Sequence, residues 1–438
     1  MTNFGPTVRA QHYDEVRLEM VKKYKNTIIA SLGVGVEYYD FIVYGLMGMY
    51  LSDIFFQTNE FTNKFYYFSI FALGYVCMPL GAIISGLISD KYGRRKTFSF
   101  LILLMAIATF VVGILPVDKE WLVFSVVILV MARMVQGMAL GGELPNAVTV
   151  IYESSNKDPV HSSMISSSAV FSNILALFVL YCLSKLLSNE EILSWGWRIP
   201  FLIGAAFSLT CYFLRKNLAE TGEYISVRNR VLNQGFFNPL KLLIASGVYK
   251  LLIAIMISIA TRTLIVIYIY IPTYIKQVFS YPADQIYSAT IIALVFSLCF
   301  APFVGVIIKK IGAKKTMFFA AALLLLSSYL MFKLFSLENH LALIAALLLY
   351  QLFHTSIYVS SLILVSGLFR TEVRNTALSV SYSLGYVVAG AIPAILSSLV
   401  ENTGNSQSIL LWFVSVVSTL AITGALLCNY YDKKASHD

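Results

Sequence analysis

Two carboxylates stand inside the first long apolar run of this chain: Glu37 and Asp40, in Gly33-Val-Gly35-Val-Glu37-Tyr38-Tyr39-Asp40-Phe41-Ile-Val-Tyr44-Gly45. Three residues apart, they share one face of a helix. An ionised carboxylate in hydrocarbon is costly, so such an acid is either bonded to a neighbouring helix or used. Used, it takes up a proton on one side of a barrier and releases it on the other as water access alternates. A second constellation, Arg133-Met-Val-Gln136-Gly137-Met-Ala-Leu-Gly141-Gly142-Glu143, puts a guanidinium about a dozen residues into another apolar run, too deep to snorkel out. Arg133 needs a carboxylate, backbone carbonyls or a ligand. Gln136 and Glu143 lie nearly above one another on the same face, and the glycines permit close helix approach.

Arg262 is a further intramembrane charge of interest. Its planar fork suits a carboxylate across a central cavity, and equally suits Glu37, Asp40 or Glu143 as a helix partner. Gln351 and His354 share one turn of a later run, where a proton relay or ligand contact competes with a plain hydrogen-bonded helix contact. Asn173 follows a Ser-rich face, Ser162 to Ser168 with Ser172, which reads first as helix packing and otherwise as cavity lining. Tyr268, Tyr270 and Tyr274 read first as an interfacial aromatic belt at a helix end and otherwise as lining of the site. Cys77, Cys182, Cys211, Cys299 and Cys428 sit in separate runs with no C-x-x-C, so neither a disulfide framework nor a metal site is expected. With no Gly-x-Ser-x-Gly elbow and no His-Glu-x-x-His site, no enzyme and no cofactor is expected either.

The elements that must position these residues are membrane spans. Of the 438 residues 58% are hydrophobic and 13% charged, with a mean hydropathy of +0.75. Soluble domains carry about 25% charge, which excludes that class. Runs of about 20 apolar residues recur throughout. The first six fall near 27–50, 63–88, 97–116, 121–150, 164–186 and 197–214. The second six fall near 247–273, 285–308, 315–334, 340–368, 373–398 and 407–428. None shows the period-two alternation of a spanning barrel strand. The fold class is therefore an all-α polytopic membrane protein of twelve transmembrane helices in two six-helix halves. Its expected divisions are an N-terminal tail (1–26), a first half (27–214), a central loop (215–246), a second half (247–428) and a tail (429–438). Residues 8–26 are either a short surface helix or a solvated tail.

Of the 32 Lys and Arg residues, 24 fall on the side holding both termini and six on the other; Arg133 and Arg262 lie within spans. Both termini are therefore expected in the cytoplasm. The same bias accounts for the net charge of +9 without a nucleic-acid partner. The polar N-terminus has no cleavable signal pattern.

One loop is more specific than its charge. Gly86-Leu-Ile-Ser-Asp90-Lys-Tyr-Gly93-Arg94-Arg95-Lys96 joins spans two and three, and Gly305-Val-Ile-Ile-Lys309-Lys310-Ile-Gly312-Ala-Lys314-Lys315 repeats it half a chain later with Lys309 in place of the Asp. Repetition at that offset is the trace of duplicated halves. The order G-x-x-x-D-K-x-G-R-R-K resembles the helix two–three loop of the major facilitator superfamily. The first span is similar to the G-N-x-x-E-W-Y-D-F-x-x-Y-G segment of its metabolite:proton symporter branch, with Val34 for Asn and Tyr38 for Trp. Arg133 to Glu143 resembles R-x-x-Q-G-x-x-x-G followed by G-G-E. Ser194 to Phe201 matches S-W-G-W-R-I-P-F, Leu218 to Tyr224 resembles L-x-E-T-P-x-F, and Arg370 to Gly385 resembles P-T-x-V-R-x-T-G-L-S…Y-x-x-G. Leu144-Pro145-Asn146 and His161-Ser162 depart from the pattern.

The resemblance implies a major facilitator fold in the cytoplasmic (inner) membrane, importing a small metabolite with protons: an amino acid, a betaine-type osmolyte or an organic acid. An exporter or antiporter of the same fold, or a non-transporting sensor, is the alternative. It implies proton coupling through Glu37, Asp40, Arg133 and Glu143. Substrate contacts are implied for Tyr39, Tyr44, Gln136, Asn173, Arg262, Gln351 and His354. Gating is implied for Gly86, Asp90, Gly93, Arg94 and Arg374, with Asp90 meeting a helix N-terminus of the other half. The expected partners are substrate, protons and the bilayer, and the chain is read as a monomer.

Overall fold

The structure, a computed structural model, describes residues 6–56, 60–216, 218, 220–233, 235–245, 248–279, 281–402 and 406–435. Twelve long helices run through it. The first six are α1 (Pro6–Leu46), α2 (Glu60–Tyr92), α3 (Arg94–Gly113), α4 (Leu122–Ser154), α5 (Pro159–Leu186) and α6 (Arg198–Lys216). The others are α7 (Val248–Val278), α8 (Ala283–Ile311), α9 (Ala313–Phe335), α10 (His340–Gly367), α11 (Arg374–Asn402) and α12 (Ser406–Ala435). Two short helices, Gly222–Leu232 and Asn238–Ala245, join α6 to α7. The polar stretch 8–26 is neither a separate surface helix nor a loose tail: it is the first part of α1.

Among the described residues, eleven helices are long and apolar enough to cross a bilayer. The twelfth, α11, opens with Arg374, Asn375, Thr376, Ser379, Ser381 and Ser383, all buried. This polar first part of α11 is turned into protein. The arrangement is a multi-pass membrane fold in which large apolar side chains such as Val123, Leu326 and Leu341 face outward, where lipid is the solvent.

Helices α1–α6 pack among themselves and α7–α12 among themselves; α2 against α11 and α5 against α8 close the seam between the sets. Within the first set, Gly137 and Gly141 of α4 lie on the backbone of Gly74 and Met78 of α2, so any Cβ there would overlap main chain. The four-residue glycine spacing read from the sequence is thus a close helix seam. Gly93 (φ +113) and Gly312 (φ +88) each reverse the chain between two long helices in a single residue. Only glycine adopts that backbone without strain, which is why both copies of the loop keep it.

Candidate functional site

Three buried polar groups line up across the bundle. In the first, α1 turns Glu37 and Asp40 into the first six helices and not toward the second set. Asp40 Oδ2 accepts from Thr109 Oγ1 of α3 at 2.9 Å and Ser208 Oγ of α6 at 3.2 Å, while Oδ1 receives no hydrogen bond. Thr109 in turn accepts from Gln136 Nε2 at 2.9 Å, and Gln136 Oε1 accepts from Arg133 Nη1 at 2.8 Å. A continuous chain therefore runs Arg133–Gln136–Thr109–Asp40 through α4, α3 and α1. The Arg133 guanidinium lies 4.1 Å over the ring of Tyr44. The Thr109 hydroxyl donates to ionised Asp40 and can accept from the protonated acid, while Gln136 Nε2 and Arg133 Nη1 only donate along the chain.

Glu37 sits about one turn nearer the basic end. It is fully buried, and neither of its oxygens receives a hydrogen bond from a protonated donor group. Its neighbour is Glu143 of α4, whose other oxygen is paired with Arg215 of α6. Arg215 also donates to the carbonyl of Phe98 at 3.0 Å and lies against Gly33, where a side chain would overlap the guanidinium. Arg215 thus answers Glu143 alone, and Glu37 is a further buried acid beside that pair.

Arg215 was read from the sequence as the start of the central loop; the structure makes it the last buried charge of α6. Hydropathy windows end a span at its first cation, and only a partner on another helix reveals that the cation belongs inside. Glu143→Gln strands Arg215 and is expected to lower stability by about 3–5 kcal/mol. Glu37→Gln removes no pairing and is expected to be near neutral. Thermal melts of both variants in detergent separate the cases, and equal losses would sink the assignment.

The second group seals the basic end. Asp90 accepts from the backbone N–H of Thr376 at 2.7 Å and Asn375 at 3.3 Å, at the N-terminus of α11, and pairs with Arg94 at 3.0 Å. That helix end presents unsatisfied N–H groups and the positive pole of its dipole. Gly86 lies where a Cβ would meet Thr376 and Ser379. Arg374 does not reach Asp90: it pairs with Glu153 at 2.8 Å and Glu223 at 2.7 Å. Arg94 reaches the same Glu153 oxygen at 3.2 Å and the carbonyl of Thr371 at 2.6 Å. Thr221 donates to the other oxygen of Glu153 at 2.5 Å, and Glu220 caps the N–H of Arg94 at 3.1 Å.

One carboxylate thus holds an arginine from each half, and the segment after α6 supplies the remaining acceptors. Glu153 carried no signal in the sequence. Glu220, Thr221 and Glu223 carried only a motif match. Burial pushes the Glu223 carboxyl up, but hydrogen bonding and charge from Arg374 outweigh it, and it lies below the ordinary carboxylate range. A depressed pKa means the contact is made at neutral pH and is lost as pH falls through that lowered value. The second copy of the loop is weaker, as its missing Asp implies. Lys309 meets Asp158 at 3.2 Å with 63% of the lysine exposed, a surface pair worth about 0–1 kcal/mol.

The third group lies between α7, α10 and α11. The fully buried Arg262 guanidinium is ringed by Tyr382 at 4.5 Å, Tyr386 at 4.8 Å and Tyr358 at 5.2 Å. Tyr386 Oη meets Tyr38 Oη of α1 at 2.5 Å, a hydrogen bond between the halves. On α10, His354 stacks between Tyr350 and Tyr358, and its Nδ1 meets Gln351 Oε1 at 3.1 Å. Tyr268, Tyr270 and Tyr274 are not a belt: all are buried, and Tyr268 stacks on Tyr350 with centroids 5.9 Å apart. The face of α7 they occupy packs on other helices and not on lipid.

Arg262 pairs with none of Glu37, Asp40 and Glu143, since those acids belong to the first group. Tyr39 is turned to α6, its hydroxyl on the carbonyl of Pro200 at 3.2 Å, and Tyr38, overlooked in the sequence, takes the place between the halves. Adjacent helical positions point about 100° apart, and no pattern in the sequence says which of two tyrosines faces the partner half. Asn173 is half-buried on α5, its side-chain oxygen without a hydrogen bond.

The sequence model of the Major Facilitator Superfamily matches residues 39–393 and 251–436. A putative proline/betaine transporter of Staphylococcus aureus (strain COL) is 27% identical over 421 residues, covering 94% of this chain and 90% of that protein. The citrate-proton symporter of Klebsiella pneumoniae is 26% identical over 406 residues, covering 92% and 90%. Among solved structures, the proton:xylose symporter XylE bound to 6-bromo-6-deoxy-D-glucose superimposes with a TM-score of 0.77. It is 18% identical, covering 93% of this chain and 95% of that one.

Proposed function

The chain belongs to the major facilitator superfamily, and from that membership we propose that it is a secondary transporter importing a small metabolite together with protons by alternating access. The observation that carries the reading is the Arg133–Gln136–Thr109–Asp40 chain, which joins a buried acid to a buried arginine inside a bundle sealed at its basic end. Relatives along nearly the whole chain are named as proline/betaine transporters and a citrate-proton symporter, and they support the class of cargo. In this reading Asp40 carries the coupling proton. Glu37 and Glu143 hold a second buried proton beneath it, and Arg133 senses the state of Asp40.

The basic face is cytoplasmic, in keeping with the distribution of Lys and Arg, and the membrane is the inner one. Halves 27–214 and 247–428 rock about a site near the midplane. Tyr38 reaches toward Arg262 there through Tyr386, and Tyr44, Gln136, Asn173, Gln351 and His354 contribute from the two halves. Asp90, Arg94 and Arg374 latch the cytoplasmic gate, with Gly86 and Gly93 shaping it. No bond is made or broken in the cargo, and a single chain suffices.

The test is uptake into proteoliposomes under an imposed inward proton gradient, with labelled proline, glycine betaine and citrate as first probes. Accumulation that a protonophore collapses is the expected result. Gradient-driven efflux of the same compound would make the protein an antiporter, and accumulation indifferent to the protonophore would end the proton-coupled reading.

A further inference from the structure

Arg262 is a buried cation without an anion. None of its three nitrogens makes a hydrogen bond, and the Tyr386 hydroxyl lies beside it outside donating geometry. Among the described residues no acid pairs with it; its neighbours are tyrosine rings. A lone buried guanidinium costs several kcal/mol, far more than a helix contact returns. Around it other polar atoms are equally unused: the hydroxyls of Tyr358 and Tyr382 and Nε2 of His354 are buried without partners. Both hydroxyls can donate, and no acceptor faces them; His354, whose Nδ1–H is turned to Gln351 Oε1, borders them. A convergent set of donors around a fixed cation is the complement of an anion.

The rings make the choice narrower. Three tyrosine faces within 4.5–5.2 Å of one point form the cage that ordinarily receives an ammonium or quaternary ammonium head. Here the protein's own guanidinium fills it. A zwitterion bringing a cationic head would meet a like charge in its place.

We propose that the cargo is a carboxylate anion without an ammonium or quaternary ammonium group, and that Arg262, with the Tyr358 and Tyr382 hydroxyls, is the site that binds its carboxylate. The proposal rests on the symport reading and names its substrate class. It also gives that reading a coupling path. Tyr386 borders the guanidinium and bonds Tyr38, which directly follows Glu37 on α1. An anion on Arg262 therefore pulls on the helix that carries both buried acids.

The experiment is equilibrium binding without a gradient, read as thermal stabilisation of the purified full chain at constant ionic strength. The probes are acetate, succinate and citrate against proline, glycine betaine and choline. At least one carboxylate is expected to raise the melting temperature of the wild type, while glycine betaine and choline leave it unchanged. Arg262→Gln is expected to lose the shift and Arg262→Lys to keep part of it. Should Arg262→Gln not fold, Tyr382→Phe is expected to weaken the same carboxylate about tenfold or more, the worth of one hydrogen bond to a charged group. Stabilisation by glycine betaine or choline overturns the proposal. So does a carboxylate shift untouched in the variants, or no response to any carboxylate of the panel. Because no proton gradient is applied, this assay can fail while proton-driven uptake stands, and the reverse.

Discussion

Asp40→Asn is expected to abolish gradient-driven accumulation while leaving substrate exchange across the membrane intact. Asparagine is nearly isosteric with the protonated acid, and its amide group still meets Thr109 and Ser208, whose hydroxyls can turn to suit it. The variant therefore mimics a transporter that never releases its proton. A gradient of about one pH unit is worth about 1.4 kcal/mol per proton, which supports about tenfold accumulation for each proton coupled. In the variant that ratio falls to about one, whereas counterflow between preloaded vesicles and labelled external substrate continues, since exchange moves no net proton. Asp40→Glu, which keeps the titrating group, should restore part of the accumulation. Full accumulation in Asp40→Asn would move the coupling proton elsewhere, and the Glu37–Glu143 pair would then be the first place to look. Loss of both accumulation and counterflow would mean that Asp40 holds the bundle together and carries nothing.

The second large effect lies at the opposite end of the same half. Glu153→Gln removes the one carboxylate that holds Arg94 and Arg374 together. Arg94 keeps Asp90 and Arg374 keeps Glu223, so the loss is that of charge-assisted hydrogen bonds, about 1.5–3 kcal/mol each, and not of a stranded ion. That cost exists only where the basic end is closed; with the end open, both arginines are hydrated. The closed population is therefore expected to fall about tenfold or more relative to the open one. Ser379, buried against Gly86 beneath the latch, is a suitable reporter. With the five native cysteines replaced, a cysteine substituted for Ser379 should be alkylated far faster from the basic side when Glu153 is Gln, and uptake should fall with it. Alkylation at an unchanged rate would reduce the latch to one contact among many. The weak Lys309–Asp158 pair sets the contrast, for its removal is expected to change little.

Both effects depend on residues that the sequence marked to very different degrees. Asp40 and Arg133 were conspicuous because a charge in an apolar run is expensive wherever its partner lies. Asp90 was legible for a related reason: it closes a repeated glycine turn, and a helix N-terminus is a generic partner for an acid. Composition and the placement of Lys and Arg likewise brought out the twelve spans, because a bilayer demands apolar length irrespective of how helices pack. The two glycine turns were visible too, since only one residue type tolerates their backbone.

Other features were decided by contacts between helices far apart in the chain. Glu153 and Arg215 sit at span ends, where a charge is unremarkable until its partner is seen 59 to 221 residues away. Tyr38 against Tyr39 is a question of helix rotation, settled by which neighbour each face meets. The isolation of Arg262 is the clearest case. From the sequence alone it was as good a partner for a helix acid as for a ligand; in the structure every candidate acid is buried within the first half, and the guanidinium is left among tyrosines. The sequence by itself determined that this chain crosses a membrane twelve times and buries charge in doing so, because the cost of each apolar run and each buried ion is local. Which charge answers which was decided only by the tertiary structure, because pairing is a property of distances between helices.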